Sequence, residues 1–233
     1  RSITFVSDSF FINNKAESYG GAILNNIART SISGSYFINN TVNGSGGAIT
    51  NHQYGNTTVT DSQFTGNVAY EKGGAISNHN NGNINVTAST FINTTACVGG
   101  AIDTISGSVK IISSEFRNNE AKQIGNVTFN INGGAINNEA TLNITRSEFI
   151  HNVASQNGGA IYQKVGSDYS ITDSIFIDNT PKNFVTNSDN MLYLAKTDNY
   201  IPSNATINIE VGSSSVTKKM INKNVISKMK KGS

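Results

Sequence analysis

The chain has 233 residues, of which 36% are hydrophobic and 14% charged, and it contains 35 Asn, 22 Gly, 2 Pro and no Trp. Its single Cys97 excludes a disulfide scaffold, and no apolar run is long enough for a transmembrane helix. Six of the 17 basic residues follow position 217, so residues 1–217 carry a net charge of −4, which argues against nucleic acid as a partner.

A repeat of about 26 residues runs from residue 3 to residue 179. Gly-Gly-Ala-Ile occurs six times and ends at Ile23, Ile49, Ile76, Ile102, Ile136 and Ile161. A second register contains Phe11, Phe37, Phe64, Phe91, Phe116, Phe149 and Phe176. A serine lies two residues before each of these phenylalanines: Ser9, Ser35, Ser62, Ser89, Ser114, Ser147 and Ser174.

Each repeat contains short β-favouring segments separated by Gly and Asn, without the 3.6-residue stripe of a helix. We therefore predict an all-β, right-handed, single-stranded parallel β-helix with three short strands per coil. Equivalent Phe, Ile, Ser and Asn side chains should form ladders about 4.8 Å apart. The Ser ladder should lie at a bend. The Asn three residues after Phe should occupy a left-handed corner and hydrogen-bond along the stack.

The repeats occupy residues 1–179, as about seven coils, and depart from the pattern at two places. Eight extra residues within 123–132 predict an outward loop. After Asn179 the signature fades, and we predict irregular last coils or a cap over 180–217, with the start of another domain as the alternative. Residues 218–233 form a Lys-rich tail or linker. Because no signal sequence precedes Arg1, we expect a piece of a longer chain, attached to a membrane or wall only through segments outside it.

The alternation of Phe-x-x-Asn with Gly-Gly-Ala-Ile over residues 3–179 resembles the polymorphic membrane protein repeats of chlamydial autotransporters. The Asn-, Thr- and Ile-rich composition is similar to that of adhesin-like surface proteins of methanogenic archaea. The resemblance implies a right-handed β-helix displayed outside the cell and used for adhesion. It supplies no catalytic residues.

Parallel β-helices of the pectin-lyase-like type also include polysaccharide lyases and hydrolases, so paired carboxylates deserve consideration. Glu115 and Glu148 each precede a phenylalanine in neighbouring repeats. Their expected separation of about 4.8 Å is close to that of a retaining glycosidase. However, both should point outward, and Arg117 and Arg146 are near enough to neutralise them. A solvated charge cluster is the alternative interpretation.

His52 and His79 follow successive Gly-Gly-Ala-Ile blocks and could bridge a divalent metal, but no further ligand shares their register. The alternative is an exposed polar ladder, and we expect no metal and no cofactor. Cys97 has no matched His in its repeat, so we expect a small buried side chain rather than a nucleophile.

These patterns predict a non-enzymatic adhesin-like stalk at the cell surface or outer envelope. We expect it to bind a host or neighbouring cell through a glycan or protein ligand. The alternatives are a carbohydrate-active enzyme using Glu115 and Glu148, and a purely structural spacer. Candidate binding residues are Tyr54, Tyr70, Gln123, Asn126 and Phe129.

Overall fold

A computed structural model describes residues 2–126, 128–164, 167–181 and 184–186. For residues 184–186 only the backbone is described. These residues form parallel strands stacked as a β-solenoid, and the predicted parallel β-helix is confirmed. Six coils contain every strand of the repeat, and the described part of a seventh contributes three more strands. Of the irregular last coils or cap predicted over 180–217, only residues 180–181 and 184–186 are described, and the tail at 218–233 lies outside the described residues.

The strands form four sheets, each with one strand per coil. Sheet 1 contains β1 (Ile3–Ser7), β5 (Arg29–Ser33), β9 (Asn56–Thr60), β13 (Asn83–Thr87), β17 (Ser108–Ile112), β21 (Thr141–Thr145) and β25 (Tyr169–Thr172). Sheet 2 contains β2 (Phe10–Ile12), β6 (Tyr36–Ile38), β10 (Gln63–Thr65), β14 (Thr90–Ile92), β18 (Glu115–Arg117), β22 (Glu148–Ile150) and β26 (Ile175–Ile177).

Sheet 3 contains β3 (Lys15–Ala16), β7 (Thr41–Val42), β11 (Val68–Ala69), β15 (Thr95–Ala96), β19 (Glu120–Ala121) and β23 (Val153–Ala154). Sheet 4 contains β4 (Ile23–Asn26), β8 (Ile49–His52), β12 (Ile76–Asn78), β16 (Ile102–Thr104), β20 (Ile136–Asn138), β24 (Ile161–Gln163) and β27 (Phe184–Thr186).

Each complete coil therefore has four strands rather than the predicted three. The additional element is the two-residue strand of sheet 3, such as Thr41–Val42. Such a short segment shows no alternation of apolar and polar residues, so its sequence does not reveal it. It becomes a strand because the coils above and below supply parallel hydrogen-bonding partners.

The corner between sheets 1 and 2 lets Val6 and Phe11 face the same core. These residues are five positions apart, so an unbroken strand would point them to opposite faces. Asp8, with φ 46°, turns the chain between Val6 and Phe11, and both of these side chains pack against the core. The following Ser9 N–H donates to Ser35 Oγ at 3.2 Å. The Ser35 hydroxyl in turn donates to the Ser33 carbonyl oxygen at 2.8 Å, so the serines link coil to coil at this bend.

At the corner between sheets 2 and 3, the prediction for the recurrent Asn was half wrong. The left-handed residue is two positions after Phe, as at Asn39 with φ 52°, and not three. The third residue, such as Asn40, instead buries its side chain and bonds to the next coil. We call this set the corner ladder: Asn14, Asn40, Asn67, Thr94, Asn119, Asn152 and Asn179. Left-handed backbone suits the exposed residue, and the buried one supplies the hydrogen bonds.

The core is built from stacked identical side chains. Neighbouring Phe rings of the Phe register lie 4.7 to 4.9 Å apart and within 7° of parallel, as in offset stacked pairs. From Phe37 to Phe176 these rings are fully buried, and the Ile ladder of sheet 4 packs in the same cluster. The inter-strand spacing thus sets the ring spacing.

The two glycines of each Gly-Gly pair have different roles. The first adopts positive φ, as at Gly73 with φ 64°, and begins the turn into sheet 4. The second packs against the next coil, since a Cβ on Gly74 would lie 2.1 Å from the Gly100 carbonyl oxygen. The first glycine therefore supplies conformation and the second supplies close approach between coils.

Beyond the turn, a second polar set follows Gly-Gly-Ala-Ile by two residues. We call it the turn ladder: Asn25, Asn51, Asn78, Thr104, Asn138 and Gln163. All of these side chains are buried. Asn25 Nδ2 donates to Asn51 Oδ1, and Asn51 Nδ2 donates to Asn78 Oδ1, each at 2.8 Å. Side-chain amides therefore continue the coil-to-coil bonding inside the solenoid.

Candidate functional site

Glu115 and Glu148 lie directly opposite each other on β18 and β22, on the outer face of sheet 2. Glu115 forms an ion pair with Arg117 on the same strand, whereas Glu148 is exposed. Arg146 lies at the preceding corner, with Nε 3.5 Å from Ser113 Oγ. The catalytic role of the pair stays a prediction, tested by Glu148→Gln in a polysaccharide-cleavage assay.

His52 and His79 lie on neighbouring coils at the end of sheet 4, with ring centroids 6.5 Å apart. His52 Nε2 is 2.9 Å from Asn80 Nδ2, and His79 Nε2 contacts the Ser77 hydroxyl. Burial, assisted by Lys72 and His52, lowers the pKa of His79 to about 4. Among the described residues, no three His, Cys, Asp or Glu side chains form a group that could hold a metal.

The candidate tyrosines lie on separate sides of a coil. Tyr54 is at the corner after β8 with φ 59°, and 58% of it is exposed. Tyr70 follows β11 in sheet 3 and is 43% exposed, and its carbonyl oxygen accepts a hydrogen bond from the Cys97 thiol. Both rings are accessible, but the structure does not bring them into one site.

The inserted segment between β19 and β20 is held to the solenoid near both ends. Ile124 N–H donates to Cys97 Sγ at 3.2 Å, and Ile131 is buried against Ala121 and Ala154. Ile131 N–H also donates to Gln156 Oε1 at 3.0 Å. Cys97 is buried, and this burial raises the pKa of its thiol. The thiol therefore anchors the insert and is not activated as a nucleophile.

Between these anchors the insert faces solvent. Asn126 is exposed and Phe129 is half-buried, and Gln123, just before the first anchor, is also exposed. A Cβ on Gly125 would have open space around it. The described residues between Ile124 and Ile131 are thus the part of the insert that is available for contact with another molecule.

Sequence reasoning missed a buried polar column on the outer side of sheet 4. Its members share the position directly after the ladder isoleucine: Thr50, Ser77, Asp103, Asn137 and Tyr162. Leu24, at the same position of the first coil, is apolar and exposed and does not belong to the column. The turn that contains the Gly-Gly pair covers the column. Thr50 Oγ1 donates to the Ser45 carbonyl oxygen in this turn at 2.6 Å and accepts from Gly20 N–H, in the equivalent turn of the neighbouring coil, at 2.9 Å. These side chains are consequently buried on a face that should be solvated.

Asp103 is the acidic member of this column and is fully buried. Its Oδ1 accepts from Asn137 Nδ2 at 2.8 Å, whereas Oδ2 has no hydrogen-bond partner among the described residues. Burial raises the pKa of Asp103 to about 7, with Lys72 and the Asn137 hydrogen bond opposing the shift and Glu139 assisting it. An Asp where other repeats have neutral residues was the available signal.

This column can bind and release a proton, but it offers no open catalytic centre. Ser77 and Asp103 are both buried, so a substrate could not reach them without displacement of the turn. The described residues contain no helix long and apolar enough to cross a membrane.

The family model of the Chlamydia polymorphic membrane protein repeat matches the chain three times, at residues 8–26, 61–79 and 146–164. Each match begins at the corner before sheet 2 and ends within or just after sheet 4, so it spans three strands of one coil. No curated protein and no solved structure is significantly similar to the chain. The comparisons thus support the chlamydial repeat, and none indicates the methanogen proteins.

Proposed function

We propose that this chain is a non-enzymatic, adhesin-like protein of the cell surface, whose β-solenoid carries binding elements outward to a host or neighbouring cell. The observation that carries the proposal is the polymorphic membrane protein repeat, matched three times in the same register of the coil. Proteins with this repeat are surface-exposed and adhesin-like, and a stack of coils provides a rigid projection for such a role.

The geometry of the insert supports a binding role in preference to a spacer. A spacer needs only regular coils, whereas this segment interrupts them and is fixed at Ile124 and Ile131 while its centre faces solvent. Rigid scaffolds that hold exposed loops in this manner are common in recognition. The ligand is a glycan or a protein on the opposing cell.

The first experiment tests location and attachment. Antibodies against the purified chain should label intact source cells without permeabilisation. Beads coated with the chain should adhere to a panel of bacterial and eukaryotic cells more than beads coated with albumin. If the antibodies label only permeabilised cells and the beads adhere to none of the panel, the proposal is wrong.

A second experiment locates the contact. Deletion of residues 125–130 keeps both anchors of the insert and should reduce bead adhesion severalfold. A matched control with the same six residues in shuffled order preserves length and composition, and it should also lose adhesion if recognition is specific. Unchanged adhesion in both variants would assign binding to another face of the solenoid.

A further inference from the structure

Sheet 1 is the widest face of the solenoid and presents three columns of outward side chains. Its five-residue strands alternate buried and accessible positions. One column, at the start of the strands, contains Arg29, Asn56, Asn83, Ser108 and Thr141. The other two, called the first and second columns, lie further along the strands. The first column contains Ser31, Thr58, Asn85, Lys110, Asn143 and Ser170, in register. The second contains Ser33, Thr60, Thr87, Ile112, Thr145 and Thr172.

The chemistry of this face is almost uniform. From β5 to β25, ten of the twelve positions in the first and second columns are Ser, Thr or Asn, and the exceptions are Lys110 and Ile112. None of these twelve described positions is acidic. Hydroxyl and amide groups each donate and accept hydrogen bonds, so the two columns form a largely uncharged surface that offers both functions in every coil from β5 to β25 except that of Lys110 and Ile112.

The other faces differ in ways that matter for binding. Sheet 2 carries Glu115, Arg117 and Glu148 on its outer side. The strands of sheet 3 have two residues each, and the outer column of sheet 4 is covered by the turn that contains the Gly-Gly pair. Within the described residues, sheet 1 alone combines width, length and neutral polarity.

The groups on sheet 1 are also held in place before any ligand binds. The backbone register fixes their positions at about 4.8 Å along the axis and about 6.7 Å along each strand. Ser, Thr and Asn have short side chains that lose little rotamer entropy on binding, and Thr is further restricted at χ1. Thr172 Oγ1 donates to Thr145 Oγ1 at 3.2 Å, which orders part of the second column.

From this arrangement we infer that sheet 1 binds a neutral polysaccharide chain lying along the solenoid axis. Six inter-strand steps of about 4.8 Å give a face about 29 Å long, enough for several sugar units. A chain of regularly spaced hydroxyls matches a lattice of regularly spaced donors and acceptors. The inference rests on the proposed function and names the ligand class of the adhesin.

The charge of the face distinguishes this ligand from other polymers. A nucleic acid or an anionic polysaccharide needs a cluster of cations, and the described outward positions of sheet 1 from β5 to β25 offer only Arg29 and Lys110, which lie three coils apart. At the first coil, Phe5 stands at the head of the first column with 79% of its surface exposed. The negative π-face of an aromatic ring attracts the polarised C–H groups of a sugar, so Phe5 supplies a stacking position at one end.

The test uses retention of the purified full chain on amorphous cellulose, chitin and starch, with polygalacturonate as the anionic comparison. We expect retention on at least one neutral polymer, and we expect it to persist at 1 M NaCl because uncharged hydrogen bonds are not screened. Absence of retention on all three neutral polymers would overturn the inference, as would retention only on polygalacturonate or loss of binding at high salt.

Matched double variants locate the contact. Thr60→Glu with Thr87→Glu places two carboxylates on sheet 1, and we expect retention to fall by about tenfold or more as hydrogen bonds are lost. Gln63→Glu with Thr90→Glu adds the same charge to sheet 2 in the same two coils and should leave retention unchanged. Equal behaviour of the two double variants would refute the assignment to sheet 1.

Bead adhesion to cells separates this inference from the proposed function. Periodate oxidation of the cell glycans should abolish adhesion if the ligand is a polysaccharide, whereas loss only after protease treatment would identify a protein ligand and overturn the inference. Adhesion that persists in the sheet 1 variant would leave the adhesin proposal intact while refuting the inference. Absence of adhesion in every form of the chain would count against the proposal itself.

Discussion

The corner ladder and the turn ladder each have a threonine in place of an asparagine in the same coil, and among the described residues only the threonine of the corner ladder keeps a link to the following coil. In the corner ladder, Thr94 Oγ1 donates to Asn119 Oδ1 at 2.7 Å and its backbone N–H adds a bond at 3.1 Å. In the turn ladder, Thr104 Oγ1 and Asn138 Oδ1 are both buried without partners among the described residues.

The difference shows what a ladder needs. In the corner ladder the backbone N–H also donates to the side chain of the next coil, as Asn40 N–H does to Asn67 Oδ1. Thr94 therefore still bonds to Asn119 in the following coil, although no hydrogen bond joins Asn67 to Thr94 among the described residues. The turn ladder depends on the reach of the amide alone, as between Asn51 and Asn78. A stacked repeat therefore tolerates a substitution where backbone and side chain share the bonding.

The largest effect should come from breaking the corner ladder at Asn119, which is bonded to the coils on both sides. Asn119→Ala removes bonds from Thr94 N–H and Oγ1 and bonds to the Phe91 carbonyl oxygen and Asn152 Oδ1. We expect a loss of about 4 to 6 kcal/mol in the free energy of unfolding, measured by urea denaturation. Asn143→Ala, on the outer face of β21, is the control and should cost less than about 0.5 kcal/mol. Similar losses in the two variants would contradict the account.

The second effect concerns Asp103, next to Thr104 on β16 but on the opposite face. Because its pKa rises from 3.8 to about 7 on folding, the folded state favours the protonated form. Stability from this group is complete below pH 4 and is lost as pH rises towards 7. Asp103→Asn keeps a neutral acceptor for Asn137 and should stabilise the chain at pH 8 by as much as about 4 kcal/mol, with little gain at pH 4.

Urea denaturation at several pH values checks this prediction. The pKa of His79 falls to about 4 on folding, so His79 stabilises above pH 6.5 and destabilises as pH falls towards 4. The Asp103 protein and the Asp103→Asn variant should therefore also be compared with His79→Gln in both, because this substitution removes the opposing titration. Lys72 and Glu139 are left unchanged in both proteins. A stability difference between Asp103 and Asn that is independent of pH would show that the buried carboxyl does not titrate as described.

A smaller effect should follow from repair of the turn ladder. In Thr104→Asn, the new Oδ1 can accept from Asn78 Nδ2 and the new Nδ2 can donate to Asn138 Oδ1. We expect a gain of about 1 to 2 kcal/mol in the free energy of unfolding. Thr104→Val removes the unpaired hydroxyl without a new link, and an equal gain in that variant would mean that the ladder itself adds nothing.

The smallest effect should be seen at Thr94, which already bonds to Asn119. Thr94→Asn adds a donor for the Phe64 carbonyl oxygen, equivalent to the bond from Asn67 Nδ2 to the Phe37 carbonyl oxygen, and an Oδ1 that can accept from Asn67 as Asn67 Oδ1 accepts from Asn40. We expect a stabilisation of about 1 kcal/mol, measured by the same denaturation. A gain larger than that of Thr104→Asn would reverse the proposed difference between the two ladders.

The repeat made most of the fold predictable. Regular spacing of Phe and Gly-Gly-Ala-Ile requires equivalent residues to occupy equivalent places, and stacked coils satisfy this requirement. The strand of sheet 3 was missed because two residues carry no periodicity. The left-handed position was assigned one residue too late, because both the exposed corner residue and the buried ladder residue are often Asn.

The candidate sites were less predictable, because a linear sequence does not show what covers a side chain. Glu115 and Glu148 were correctly placed as neighbours in register, but the close pairing of Glu115 with Arg117 depends on side-chain geometry. Asp103 was overlooked because its position alternates with the buried isoleucines and therefore looked solvated.

The sequence by itself determined the period, the parallel stacking and the identity of the core ladders, since these follow from recurrence and from the fixed spacing of strands. The tertiary structure decided which polar positions are buried, which hydrogen bonds persist where threonine replaces asparagine in a ladder, and which outer face remains accessible to solvent. Those properties depend on turns from the same coil and on side chains about 26 residues away, and local sequence contains no record of such contacts.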